Sequence, residues 1–139
     1  MPYCRVFYHI IWGTNNREPF MDNPIVRRRV HAAIVAKAVE LGADVQAVGG
    51  THDHVHLVAS VPPKLALSYF IGQIKGSSSH FASRLNAGRI EPFEWQAEYG
   101  LLTVSESHLQ LVVRYVRNQA EHHKLGTTRA TLEHLATQP

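Results

Sequence analysis

The stretch that decides the fold is VQAVGGTHDHVHLVASV, residues 45–61. Residues 45–48 and 54–61 are rich in apolar and β-branched side chains, which is typical of strands. Between them, residues 49–53 have the composition of a turn. The pattern therefore predicts two neighbouring antiparallel strands joined by a short connection.

A long helix is predicted on each side of this hairpin. Residues 23–41 carry apolar side chains at helical spacing, and Asp22 or Asn23 is expected to cap the helix just before Pro24. After the hairpin, apolar side chains from Leu67 to Leu85 again recur at three- and four-residue steps. Right-handed crossovers would place both helices on one face of the sheet.

Two further strands and a last helix complete the pattern. Residues 6–12 and 101–104 are predicted as the first and fourth strands. Ser105 or Ser107 is expected to cap a third helix, whose apolar stripe is Leu109, Val112, Val113, Val116 and Ala120. The order β-α-β-β-α-β-α predicts an α+β fold, a ferredoxin-like (RRM-like) sandwich with an added C-terminal helix. Residues 124–139 are weakly patterned, and we expect a short helix or disorder there.

Composition limits the kind of protein that this chain forms. Its 139 residues suit one domain spanning residues 1–139, and 45% hydrophobic with 18% charged residues is the balance of a globular chain. The single cysteine, Cys4, excludes an internal disulfide framework. No apolar run approaches the ~18 residues of a membrane span, and the N-terminus lacks a basic leader, so a cytoplasmic protein is expected. A net charge of +3 permits nucleic acid or phosphate partners without requiring them.

The histidines of the third predicted strand are the first candidate site. Side chains alternate along a strand, so His54 and His56 point to the same face and can share a divalent cation. His52 joins them only if the strand begins early. Three interpretations stay open at this point: a polar strand face, a metal site built on His54 and His56, and a histidine-triad nucleotide phosphohydrolase. The last has its repeating pattern interrupted at Asp53.

The third predicted helix carries a second candidate group. Tyr115 and Gln119 are four residues apart and therefore lie on one face, beside the apolar stripe. There the tyrosine ring can be held by packing while the hydroxyl stays reachable, although a tyrosine that merely borders the core has the same pattern. A tyrosine can attack a phosphate and form a covalent phosphotyrosine when a divalent cation stabilises the developing charge.

Together these motifs resemble a known family, the single-tyrosine HUH transposases of small bacterial insertion sequences, including the REP-associated tyrosine transposases. The likeness extends from about Tyr8 to His123. Its motifs are Tyr8-His9-Ile10-Ile11-Trp12, Asp53-His54-Val55-His56-Leu57-Val58, Ile74-Lys75-Gly76-Ser77-Ser78, Trp95-Gln96 with Tyr99-Gly100, and Tyr115-Val116-Arg117-Asn118-Gln119 with His122-His123.

The resemblance implies a site and a reaction. His54 and His56 would bind Mg²⁺ or Mn²⁺, with Gln119 as the third protein ligand. Tyr115 would attack a phosphodiester of single-stranded DNA, leaving a 5′-phosphotyrosine and a free 3′-OH that later rejoins the strand. Family members are homodimers, and their DNA ends form hairpins. A domesticated, non-catalytic DNA-binding module is the remaining alternative.

Single-stranded DNA binding also requires cations near the site. The expected phosphate contacts lie on the second and third helices: Lys75, Ser78, Arg84, Arg114 and Arg117.

Overall fold

The protein is described by a computed structural model that covers residues 5–85, 92–119 and 133. The elements, in chain order, are β1 (Phe7–Gly13), α1 (Pro24–Glu40), β2 (Asp44–Gly50), β3 (His54–Ser60), α2 (Leu67–Leu85), β4 (Gly100–Val104) and α3 (Leu109–Arg117). Short 3-10 turns at Asn15–Arg17 and Glu106–His108 follow β1 and precede α3. The predicted element order is confirmed.

The four strands form one antiparallel sheet with the order β2-β3-β1-β4. The hairpin of β2 and β3 therefore occupies one side of the sheet, and β1 lies between β3 and β4. In this register His56 stands opposite Gly49 on β2 and Ile11 on β1. The expected ferredoxin-like arrangement is confirmed, and it places the histidine strand in the interior of the sheet.

The larger part of the core lies between the sheet and the helices α1 and α2. Val55 and Leu57 belong to it from β3, and the same apolar cluster includes Ile34 of α1 and Phe70 of α2. All four side chains are fully buried, and burial of each such side chain stabilises the fold by about 1.5–3 kcal/mol. Because residues alternate along a strand, the two histidines of β3 point away from this core.

The ends of α1 follow from local chemistry. The side-chain oxygen of Asn23 accepts hydrogen bonds from the backbone N–H groups of Ile25 (2.8 Å) and Val26 (3.4 Å), so this predicted cap is confirmed. Just beyond the other end, Gly42 has φ +94°, the left-handed conformation that closes many helices.

The start of α3 differs from the prediction. Neither Ser105 nor Ser107 caps the helix, which is preceded by a 3-10 turn and by His108 at the N-cap position. The Ser105 hydroxyl instead lies 2.8 Å from His108 Nδ1. The Ser105 side chain thus contacts another side chain rather than the backbone of the first helical turn, so the predicted serine caps are wrong.

The second face of the sheet is covered by α3. Its buried side chains form a smaller apolar cluster with β-strand residues, made of Phe7, Ala47, Val58, Val104, Leu109, Val112, Val113 and Val116. Gly49 permits the close approach, because a Cβ there would lie 1.9 Å from the backbone oxygen of Val116. The helix thus lies directly over the hairpin that carries the histidines.

Some of the sequence-based predictions concern residues that the structure does not describe. Ala120, at the end of the predicted stripe, is one of them. Of the predicted tail at 124–139, the structure describes Glu133, which has helical backbone conformation. In the described part of the chain no helix is long and apolar enough to cross a membrane.

Candidate active site

The candidate site lies between the sheet and α3, where His54 and His56 project from β3. Both imidazoles are buried, at 3% and 0% exposure. Their Nε2 atoms lie 3.3 Å and 3.0 Å from Glu133 Oε1. The three side chains offer ligand atoms that all lie within 4.8 Å of one another. The predicted common face of the two histidines is therefore observed, and a carboxylate that the sequence analysis did not select completes the group.

Each of these two imidazoles is held through its other ring nitrogen. Nδ1 of His54 lies 2.9 Å from both Asp53 Oδ1 and Thr51 Oγ1. Nδ1 of His56 lies 2.8 Å from Nε2 of His9, a fully buried residue of β1. Because the Nδ1 atoms are engaged on the outside, both Nε2 atoms face the same interior point. Ligating histidines in metal sites are oriented in this manner.

Burial and pairing have opposite effects on the pKa values of these groups. Burial raises the pKa of the Glu133 carboxyl, but hydrogen bonds from His54 and His56 outweigh it and hold that pKa well below its usual value. Burial lowers the pKa of His54, but Asp53 and Glu133 outweigh it and raise that pKa. Burial, reinforced by nearby His56, lowers the pKa of His9 to about 3 and outweighs the opposing effect of the Glu133 carboxylate. Glu133 is thus a carboxylate at neutral pH and His9 a neutral imidazole.

Arg17 supports the outer side of His54. Its Nη2 lies 3.1 Å from Asp53 Oδ1 and 3.5 Å from His54 Nδ1. Burial raises the pKa of Asp53, yet the hydrogen bonds from His54 and Arg17 bring it well below its usual value. Arg17 and its neighbour Asn16 both have left-handed backbone conformations, with φ of 54° and 55°. Such conformations are costly for residues other than glycine, and they concentrate at functional sites.

Tyr115 reaches the same group from α3. Its hydroxyl donates a hydrogen bond to Glu133 Oε2, and its ring centroid lies 6.2 Å from that of His56. The side chain is 3% exposed, so Tyr115 is more deeply buried than the predicted position beside the apolar stripe suggests. The hydroxyl is turned inward onto a carboxylate that the helical pattern could not reveal.

Gln119 is fully buried next to the histidines, and its Oε1 lies 3.3 Å from His54 Nε2. The structure therefore brings together His54, His56, Tyr115 and Gln119, and it does so within one chain. His52 does not join them: its side chain is 54% exposed and its Nε2 lies 3.6 Å from Asp53 Oδ2. The reason is that β3 begins at His54, so His52 stands outside the alternating pattern.

Two of the expected DNA contacts, Lys75 and Ser78, make hydrogen bonds within the chain. Lys75 Nζ donates to the backbone oxygens of Gln96 (2.6 Å) and Glu98 (3.0 Å), and burial lowers its pKa. The hydroxyl of Ser78 is fully buried and accepts a hydrogen bond of 2.9 Å from Trp95 Nε1. Both residues fasten the segment before β4 to α2.

The three arginines among the expected contacts are exposed. Arg84 lies near the end of α2, while Arg114 and Arg117 lie on the outer face of α3, the helix that carries Tyr115. Arg117 Nη2 lies 3.3 Å from the backbone oxygen of Gln46.

Five residues of the site were missed by sequence reasoning: His9, Arg17, Thr51, Asp53 and Glu133. A signal existed for His9, because on β1 it alternates with the core residue Ile10 and therefore faces the histidine side. Asp53 is adjacent to His54, but its position in the motif does not reveal that its carboxylate contacts that imidazole. Glu133 is separated from His56 by 77 positions, and no spacing rule links them.

The sequence of this chain matches a known protein family. The model of a family described as IS200-like transposases matches residues 3–119. The chain belongs to this family. The ISDra2 transposase TnpA of Deinococcus radiodurans is 26% identical over 120 residues, which cover 81% of this chain and 82% of that protein. The transposase for insertion sequence element IS200 of Salmonella typhimurium is 28% identical over 126 residues, covering 86% of this chain and 80% of that protein.

Solved structures agree on the fold. A crystal structure from Deinococcus radiodurans superposes with a TM-score of 0.68 at 24% identity, over 86% of this chain and 95% of the other. A REP-associated tyrosine transposase bound to a REP hairpin superposes with a TM-score of 0.63 at 15% identity, over 88% of this chain and 74% of the other. These structures show the fold, whereas the family rests on the model that matches residues 3–119, and this is a transposase family rather than a histidine-triad one.

Proposed function

We propose that this transposase cuts and rejoins single-stranded DNA through attack of the Tyr115 hydroxyl on a phosphodiester. One observation carries the proposal: the Tyr115 hydroxyl and the Nε2 atoms of His54 and His56 all contact the same carboxylate, that of Glu133. A nucleophile and a group of metal-ligating atoms thus meet at one buried point. This is the arrangement that metal-assisted nucleophilic attack on a phosphate requires.

The donor atoms fit a divalent cation. Two imidazole nitrogens and a carboxylate oxygen converge, and the amide oxygen of Gln119 is adjacent. Mg²⁺ prefers oxygen ligands and retains several waters, whereas imidazole also suits Mn²⁺, so we expect weak Mg²⁺ binding and tighter Mn²⁺ binding. We propose His54, His56 and Glu133 as ligands, with Gln119 as a further ligand. The bound cation would polarise the phosphate and stabilise charge in the transition state.

The residues of this chain account for the bond changes. The bond from the Tyr115 oxygen to phosphorus forms while the bond from phosphorus to the 3′ oxygen breaks. The Tyr115 hydroxyl, which donates a hydrogen bond to Glu133 Oε2, gives up its proton to solvent as the new bond forms, and the departing 3′ oxygen takes up one proton from solvent, so no net proton is gained or lost. The products are a 5′-phosphotyrosine and a 3′-OH. Because the phosphodiester bond is exchanged rather than hydrolysed, the same step in reverse rejoins the strand.

The DNA partner is proposed from charge and from the relatives. A REP-associated relative is bound to a REP hairpin, and we propose hairpin-forming element ends as the substrate here as well. The exposed Arg84, Arg114 and Arg117 are the proposed phosphate contacts. Lys75 and Ser78 would act indirectly, through the segment before β4 that they hold. As in the resemblance from sequence, we propose a homodimer.

The test is formation of a covalent adduct. Wild-type protein incubated with single-stranded element ends and Mn²⁺ should give a protein–DNA adduct on a denaturing gel, with the phosphate mapped to Tyr115 by mass spectrometry. Tyr115→Phe and His54→Ala should abolish it. Tyr69→Phe is the matched control, because Tyr69 is half-exposed on α2.

Two outcomes would contradict the proposal. One is an adduct that persists in Tyr115→Phe. The other is salt-sensitive DNA binding with no adduct on authentic ends, unchanged when both His54 and His56 are replaced, which would indicate the non-catalytic binding module instead.

A further inference from the structure

His9 is a buried polar residue beside the proposed metal site but outside its ligand set. It is fully buried on β1, its Nε2 lies 2.8 Å from His56 Nδ1, and the two rings stack at 5.0 Å between centroids. Its Nδ1 has no hydrogen-bond partner among the described residues. A buried imidazole with one nitrogen on a proposed ligand and one nitrogen unpaired requires a physical reason.

The hydrogen bond between the two imidazoles has two possible directions. Each neutral ring carries one N–H, and a single hydrogen lies between His56 Nδ1 and His9 Nε2. If His56 Nδ1–H donates, then His56 Nε2 presents a lone pair to the site, and the hydrogen of His9 is on its unpaired Nδ1. If His9 Nε2–H donates, then the hydrogen of His56 is on Nε2, 3.0 Å from Glu133 Oε1, and both N–H groups are paired.

We propose that His9 is a positioning residue that selects the tautomer of His56, and that cation binding reverses the hydrogen bond between them. Without a cation, His9 donates and His56 donates onward to Glu133, because this direction leaves no buried N–H unpaired. With a cation, His56 donates to His9 and its Nε2 becomes a ligand. The number of hydrogens on the two rings is the same in both states. This inference rests on the proposed metal site.

The other proposed imidazole ligand cannot switch in this way. Nδ1 of His54 faces the carboxylate of Asp53, which only accepts hydrogen bonds, so His54 keeps its hydrogen on Nδ1 in either state. The chain thus contains one fixed and one reversible histidine. Nδ1 of His54 contacts an aspartate and Nδ1 of His56 contacts a histidine. We therefore expect cation binding to change the tautomer of His56 but not that of His54.

The decisive variants replace only the acceptor of His9. In His9→Gln, the side-chain oxygen can reach the position of Nε2 and accept from His56. In His9→Asn the amide is one methylene shorter and matches the position of Nδ1, so it is the polar control that does not reach. In His9→Phe the volume is filled without an acceptor. We expect Mn²⁺ dissociation constants 10- to 100-fold higher for the Phe and Asn variants and within about threefold of wild type for Gln.

The measurement is a titration of the full-length protein with Mn²⁺ alone, followed by the EPR signal of the free ion at one fixed pH. Circular dichroism verifies that each variant is folded. A folded Phe variant that binds Mn²⁺ as tightly as wild type would overturn the inference, and so would equal losses in Asn and Gln. If the Phe variant does not fold, the comparison of Asn with Gln decides.

A second readout uses the wild-type protein without any substitution. Two-bond ¹H–¹⁵N correlation spectra report which ring nitrogen carries the hydrogen. We expect His56 to be protonated at Nε2 without metal and at Nδ1 after addition of Mg²⁺, whereas His54 stays protonated at Nδ1. An unchanged His56 tautomer on Mg²⁺ binding would overturn the inference alone. Wild-type protein that binds neither Mn²⁺ nor Mg²⁺ would instead overturn the proposed metal site.

Discussion

Gly49 offers the sharpest test of how the tyrosine is positioned. A Cβ at this position on β2 would lie 1.9 Å from the backbone oxygen of Val116 and 2.9 Å from its carbonyl carbon. Atoms of these types do not approach closer than about 3 Å, so in Gly49→Ala the helix α3 must move by about 1 Å or the sheet must yield. The obstacle is backbone, and no side-chain rotation can relieve it.

The displacement should reach the chemistry because Tyr115 is the residue next to Val116. Overpacking of this kind costs about 1–3 kcal/mol of stability. A misplacement of about 1 Å between reacting groups can reduce a rate about 100-fold. We therefore expect Gly49→Ala to remain folded, with a lower melting temperature, and to form the DNA adduct about 100-fold more slowly at saturating DNA and Mn²⁺.

Gly72→Ala is the matched control. Gly72 is an exposed residue within α2, and a Cβ there has no described atom within 4 Å. Because alanine is the better helix former, this change should raise stability by about 0.5–1 kcal/mol and leave the adduct rate unchanged. An adduct rate for Gly49→Ala within twofold of wild type, with an unchanged melting temperature, would refute the close contact of β2 with α3.

Three further predictions concern single side chains. Burial, reinforced by Arg27, lowers the pKa of His31 to about 4, so between pH 4 and 6.5 the unfolded chain binds more protons than the folded chain. Through this residue the free energy of unfolding should fall by about 2 kcal/mol from pH 7 to pH 5. Urea titrations of His31→Gln should lack this pH-dependent loss of stability. Asp53→Ala removes the hydrogen-bond acceptor at Nδ1 of His54, a proposed ligand, so calorimetric titration should show Mn²⁺ affinity 10- to 100-fold lower. An unchanged Mn²⁺ affinity would contradict the proposal that Asp53 orients His54. Ser78→Ala leaves the indole N–H of Trp95 without its acceptor, and denaturant unfolding should show a loss of about 1–3 kcal/mol.

Much of the fold could be predicted because its signals are local. Apolar periodicity located both long helices, and Asn23 before Pro24 marked the first turn of α1 correctly. Alternation along β3 placed His54 and His56 on one face, and a four-residue step placed Tyr115 and Gln119 on another. The serine caps of α3 were wrong because serine also bonds to neighbouring side chains, as Ser105 does with His108.

The rest of the site could not be predicted because periodicity describes faces within one element and not contacts between elements. Glu133 reaches His56 across 77 positions, and His9 reaches the same ring only because β1 and β3 pair in one particular register. Arg17 depends on a left-handed backbone at two residues other than glycine, which residue preferences argue against. These residues contact the imidazoles of His54 and His56, and the tertiary structure alone brings them there.

The same helix serves the fold and the site. Val112, Val113 and Val116 of α3 cover the second face of the sheet, and the intervening Tyr115 is thereby held over the histidines. A ferredoxin-like sheet with helices on one face would leave this second face open to water, where Glu133 and the histidine pair would be solvated and their mutual attraction weakened. Packing of α3 therefore does more than add stability: by excluding water it strengthens every charge interaction at the site. Loss of apolar contact anywhere along α3 should consequently weaken both tyrosine placement and the proposed cation binding, even where none of the proposed ligands is touched.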